Sequence, residues 1–178
     1  MEHMGEHSIV FEEFKEADFP RLISWITTEE QLVQFAGTAF HFPLTKEQLI
    51  DHLKEPDRHI FKVIHQDTNA VIGHCEVYEE DLQTRRLCRI LIGDKRFLGK
   101  GYGAALVAKL TKWCFSKPAI EVVALNVYDF NTAAINCYIK NGFIKVGLHK
   151  SATQVGHERW YSFRMTVNRS SFAAMINP

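Results

Sequence analysis

Apolar positions along the chain change period several times, and each change marks an element. Residues 8–14 alternate weakly and are bounded by charge, which predicts a first strand. From Asp18 to Thr28, Phe19, Leu22, Ile23 and Ile26 fall at helical spacing, with Asp18 placed as a cap. The aromatic stretch from Gly37 to Pro43 interrupts this. Thr45-Lys46-Glu47-Gln48 then reads as a capping box opening a second helix through Leu49, Ile50 and Leu53, ended by Pro56. Beyond His59 the period drops to two. His59 to His65, Ala70 to Tyr78 and Arg86 to Gly93 read as three strands with short connections, hence an antiparallel meander.

The second half alternates helix and strand. Leu106, Val107, Leu110, Trp113 and Cys114 make an apolar stripe on a helix from Gly101 to Phe115, stopped by Pro118. Glu121 to Tyr128 is almost continuously apolar, as a strand covered on both faces would be. Asn131 suits the cap of a helix running to Lys140, and Gly142 its end. Phe143 to Lys150 and His157 to Val167 read as two last strands. The predicted order, β-αα-βββ-α-β-α-ββ, is an α+β domain on one mixed, mostly antiparallel sheet flanked by helices. It spans residues 8–168, between a flexible N-terminus (1–7) and a C-terminal tail (169–178).

Composition narrows the function classes. Lys plus Arg and Asp plus Glu number 21 each, so no net field concentrates nucleic acid or an anionic membrane. No apolar run reaches the length of a membrane span, and the first residues lack the pattern of a secretory signal. The 4 cysteines form no C-x-x-C pair and read as buried free thiols of a cytoplasmic protein. His3 and His7 are one helical turn apart, but no third ligand is evident and no metal is expected.

Chemistry concentrates at Arg96-Phe97-Leu98-Gly99-Lys100-Gly101-Tyr102-Gly103, between a strand and a strong helix. Amides at a helix N-terminus bind phosphate, aided by the helix dipole. Alternating glycines let the backbone approach an anion, and Lys100 adds a cation. Gly99-x-Gly101-x-x-Ala104 also satisfies the dinucleotide fingerprint, with Glu121 as its distal acid. Against that reading, the loop stands off its strand, Glu121 opens a strand rather than closing one, and a meander precedes it.

The loop resembles the [QR]-x-x-G-x-G/A signature of the GNAT superfamily of acetyl-coenzyme A-dependent N-acetyltransferases. The segment from Asn131 through Ala134 and Tyr138 to Gly142-Phe143 is similar to that superfamily's N-x-x-A-x-x-x-Y-x-x-x-G-F motif. The likeness is greatest to the branch holding ribosomal-protein N-terminal and spermidine acetyltransferases. It implies that the strands Leu87 to Gly93 and Glu121 to Tyr128 run parallel and splay apart. Pantetheine would lie in the gap against Leu91, Ile92 and Gly93, with the pyrophosphate on the amides from Leu98 to Ala104. The implied cofactor contacts are Leu91, Ile92, Gly93, Arg96, Leu98, Gly99, Lys100, Gly101, Tyr102, Gly103, Ala104, Asn131, Asn136, Tyr138 and Lys140.

Acetyl transfer to an amine needs a neutral nitrogen, a held carbonyl and a proton for the departing thiolate. By resemblance Tyr138 supplies that proton, and a backbone N–H on the earlier strand holds the oxyanion. Many relatives carry a glutamate on the strand before the glycine loop. Here Arg86-Leu87-Cys88-Arg89-Ile90-Leu91-Ile92 has no carboxylate, which leaves Glu76 or His74 as candidate bases, or no dedicated base. The segments Phe35 to Pro43 and Ser151 to Gly156 would flank the acceptor. Phe40 and Phe42 either line its pocket or close the core. Glu79, Glu80 and Asp81 either attract a cationic amine or form a solvated hairpin tip. The expected function is acetyl transfer from acetyl-CoA to a primary amine, a polyamine or a peptide N-terminus, in a ternary complex, by a monomer or homodimer. The alternative is a non-catalytic acyl-CoA sensor.

Overall fold

The computed structural model describes residues 7–176. Seven strands form one sheet in the order β1-β2-β3-β4-β5-β7-β6. The strands are β1 (Ile9–Glu13), β2 (Arg58–His65), β3 (Ala70–Glu79), β4 (Thr84–Ile92), β5 (Val122–Tyr128), β6 (Ile144–Val155) and β7 (Glu158–Asn168). The meander β1 to β4 is antiparallel, as its short connections require. The β4–β5 pair is parallel, and β5, β7 and β6 complete the sheet antiparallel.

Helices cover both faces. On one, Leu106, Val107, Leu110 and Cys114 of α4 (Tyr102–Phe115) pack on Cys75 and Val77 of β3 and on Val123 and Leu125 of β5. The second core joins Phe14, Phe19, Leu22, Leu32, Phe40 and Leu49 beneath α1 (Phe19–Trp25), α2 (Glu29–Ala36) and α3 (Lys46–His52). Side chains alternate across β3, so Cys75 and Val77 serve the first core while His74 and Glu76 face the second. Cys75 and Cys114 are buried free thiols, and burial pushes Cys114 up to about 12.

Several expectations need correction. Helix α2 was not anticipated. Thr28 opens it by accepting from the Gln31 amide, and Gln31 reaches back to the Thr27 N–H at 2.8 Å. Its two exposed glutamates and two glutamines thin the apolar stripe that would have announced it. Asp18 does not cap α1: its carboxylate accepts from the Lys15 amide and from Arg21. Residues 169–176 are not a tail but a helix, α6 (Arg169–Ile176). Asn168 accepts from the Ser171 amide at its start, and Phe172 is buried against Phe115. Arg169 closes the far end of α4 by donating to the carbonyls of Phe115 and Ile120, each at 2.9 Å. Of the N-terminal segment, residues 1–6, His3 among them, lie outside the described residues, and His7 packs on Tyr102 with ring centroids 4.5 Å apart.

Thr45 caps α3, and Asn131 caps α5 (Thr132–Lys140) by accepting from the Ala134 amide at 3.2 Å. Gly142, at φ 82°, turns the chain out of α5 into β6. Residues 151–155, expected in a loop, extend β6, and the turn falls at Gly156-His157.

Candidate active site

Strands β4 and β5 pair only from Thr84 to Arg86, then part. A bulge drives them apart: the β3–β4 register slips between His74 and Glu76, and Arg89 takes φ 48°. Past Arg86 the β5-facing edge of β4 has no strand partner. The gap opens a cleft of about 810 Å³. Its walls are β4 from Arg86 to Ile92, then Gly93, Leu125 to Tyr128 of β5, and Asn131, Ala134 and Tyr138 of α5. Trp25, Gln31, Gln34 and Phe35 close it from the α1–α2 side.

At one end of this cleft, Gly99 and Gly101 hold positive φ of 70° and 87°, and Gly101 is the residue that starts α4. The amides of Tyr102, Gly103 and Ala104 form the first turn of α4, where no carbonyl of the helix lies behind them. A side chain at Gly103 would meet no atom within 4 Å, so the approach is open. These features fit a phosphate-bearing donor entering along the gap. Leu91, Ile92, Gly93, Leu98, Asn131 and Tyr138 all line the cleft, as does Lys95. Gly99, Lys100, Gly101, Gly103 and Ala104 lie on the loop and first turn beside it.

Other expected contacts stand apart. Arg96 is exposed and forked onto Asp94, and Asn136 and Lys140 are exposed on α5. The Tyr102 hydroxyl pairs with His65 Nε2 at 2.9 Å. The Gly93 N–H already donates to the Ile72 carbonyl, so Gly93 offers the cleft only its own carbonyl. Its missing Cβ matters more. An alanine Cβ there would fall within the Trp25 indole. Gly93→Ala should therefore cost about 1–3 kcal/mol of stability and weaken donor binding; denaturant titration and calorimetry read the two effects.

Tyr138 sits on the α5 wall of the cleft against Phe143. Its hydroxyl has no hydrogen-bond partner among the described residues. Burial, with the Cys137 thiol adding to it, pushes the phenol well above its ordinary pKa. It stays protonated at any working pH and presents a free O–H to the cleft.

Glu76 is placed differently from what a base requires. It is 1% exposed and does not line the cleft. Its carboxylate meets His52 Nε2 at 3.0 Å, His74 Nε2 at 3.1 Å, Arg58 Nη1 at 3.3 Å and Arg89 Nη1 at 2.6 Å. Burial alone would raise its pKa, but the two histidine hydrogen bonds and the charge of Arg89 hold the carboxyl far below the usual range. An anion so stabilised is a poor proton acceptor. Nor does His74 reach the cleft: it is buried, edge-on to Phe14 and Phe35.

Phe40 closes the core, buried edge-on to His52, and neither it nor the exposed Phe42 lines the cleft. The acidic hairpin is committed to local structure. Glu79 bonds Arg85 and His59, Glu80 is forked by Arg164, and Asp81 accepts from the Gln83 and Thr84 amides. Sequence reading missed Trp25, Gln31, Gln34, Arg58 and Arg86 as cleft residues. The last two follow from β-alternation about Tyr78, once the strand register is known. Among the described residues no three His, Cys, Asp or Glu side chains gather as a metal site, and no helix is long and apolar enough to cross a membrane.

The splayed parallel pair, the glycine loop and the tyrosine on the next helix define an acyltransferase architecture. A profile of the acetyltransferase (GNAT) domain matches residues 8–144, and the chain belongs to that family. Among solved structures, spermidine N-acetyltransferase from Vibrio cholerae, in complex with CoA and spermine, superposes with a TM-score of 0.78 at 16% identity, over 93% of this chain and 98% of that one. The aminoglycoside acetyltransferase AAC(6')-Ib, in complex with coenzyme A, gives 0.73 at 21% identity, over 94% and 98%. At these identities the likeness is one of fold.

Proposed function

We propose that this protein transfers the acetyl group of acetyl-CoA to a primary amine, both substrates being bound at once. The observation that carries the reading is the cleft between β4 and β5, with the first turn of α4 beside one end and Tyr138 on its wall. The acceptor nitrogen bonds to the acetyl carbon, the C–S bond breaks, and free thiol and amide leave. Unpaired N–H groups on β4 beyond Arg86 hold the charge that develops on the carbonyl oxygen. Tyr138 gives its proton to the departing sulfur and recovers one from solvent.

Among the described residues no carboxylate or imidazole lines the cleft, and on this reading the amine sheds its proton to water. Glu76 acts at one remove, by fixing Arg89 and the bulge that opens the gap. Thiol release from acetyl-CoA in the presence of primary amines tests the reading. Binding of acetyl-CoA with no release for any amine supports the non-catalytic sensor instead.

A further inference from the structure

The polar groups on the α1–α2 side of the cleft, where the acceptor would sit, are mainly arginines and amides, and among the described residues none is a carboxylate. Arg58 lies opposite Tyr78 on β2 and Arg86 opposite it on β4, and both stack a guanidinium over the Tyr78 ring, at 5.0 and 5.2 Å. The bulge adds Arg89 to the same face, packed over Phe40 at 5.2 Å. All three arginines line the cleft beside Gln31 and Gln34, and among the described residues no aspartate or glutamate lines it.

Nearby carboxylates are already spent. Glu76 is sealed beneath the arginines, and Glu80 is held by Arg164 at 2.6 Å with Arg86 3.6 Å away. Arg89, by contrast, has capacity left. Only its Nη1 is used, on Glu76; its Nε is buried without a partner, and Nη2 has none among the described residues.

We propose that the acceptor is a small primary amine bearing its own carboxylate or phosphate, held by Arg89 and Arg86, and not a polycation. The inference rests on the acetyltransferase reading above. A guanidinium fork matches the geometry of either anion and gains most where water is excluded. A polyamine or aminoglycoside would give up hydration at several ammonium groups and meet no anion in return.

The test is kcat/KM for thiol release with four matched acceptors: an amino carboxylate, an aminoalkyl phosphate, the uncharged amine of equal length, and spermidine. At least one anionic amine should exceed the uncharged one by about tenfold or more, as charge-assisted hydrogen bonds imply, with spermidine lowest. Which anion wins identifies the source. Arg86→Gln and Arg89→Lys should each collapse that ratio by about tenfold, through KM. Arg89 also neutralises Glu76, so its variant can lose the fold; Arg86, 30% exposed at its side chain, then carries the test. Preference for spermidine, or a ratio unchanged in Arg86→Gln, overturns the inference. Acetyl-CoA binding without thiol release for any acceptor overturns the acetyltransferase reading and this inference with it.

Discussion

Tyr138→Phe is expected to lower kcat by about a hundredfold or more, the contribution typical of a positioned general acid. The ring still packs on Phe143 after the substitution, so acetyl-CoA affinity should change by less than about threefold, under 1 kcal/mol. Only the hydroxyl is removed. Because the phenol titrates well above its ordinary range, the wild-type pH profile should show no fall from its ionisation below about pH 10. Single-turnover kinetics of thiol release give the comparison. Undiminished turnover in the variant would remove Tyr138 from the chemistry.

Glu76→Gln should cause the largest loss of stability, about 3–5 kcal/mol, the range for breaking a buried charge network by removing one partner. The substitution keeps the size of the side chain but leaves Arg58 and Arg89, 9% and 7% exposed at their side chains, without the anion they share. Linkage gives the pH dependence of the wild type. The folded-state pKa of Glu76 lies below its unfolded value of about 4.3, so the unfolded chain binds the extra proton. Its contribution is full above that unfolded value, declines below it, and is lost as the pH falls through the folded pKa. Denaturant midpoints from neutral pH to pH 3 should therefore converge for wild type and variant as the solution is acidified. A constant difference across that range would contradict the assignment.

The parts of this fold that were legible in the sequence have local causes. The meander followed from period-two runs with short connections, α4 from its apolar stripe, and α5 from Asn131 and Gly142, whose capping roles are set by side-chain oxygen and positive φ. Helix α2 and helix α6 were not legible because tertiary contacts hold them. One is polar on its outer side, and the other is anchored by a single buried phenylalanine. In the site, the glycine loop and Tyr138 are carried by contiguous motifs; the loop leads into α4 and Tyr138 lines the cleft. Glu76 illustrates the opposite case. Its place on a strand beside the cleft suggested a base, but its protonation behaviour is set by burial and by His52, His74 and Arg89, brought together from α3, β3 and β4. Likewise, the arginine-lined acceptor side depends on strand register and on one bulge, and neither leaves a mark in composition balanced at 21 charges of each sign.

The central claim is that the gap between β4 and β5, with the first turn of α4, is a seat for acetyl-CoA. Calorimetric titration of the purified protein with acetyl-CoA, with free coenzyme A and a nicotinamide dinucleotide as comparisons, addresses it most directly. Saturable one-to-one binding of both coenzyme A forms, with no heat from the dinucleotide, is the predicted result. Absence of coenzyme A binding, or binding of the dinucleotide in its place, would contradict the account.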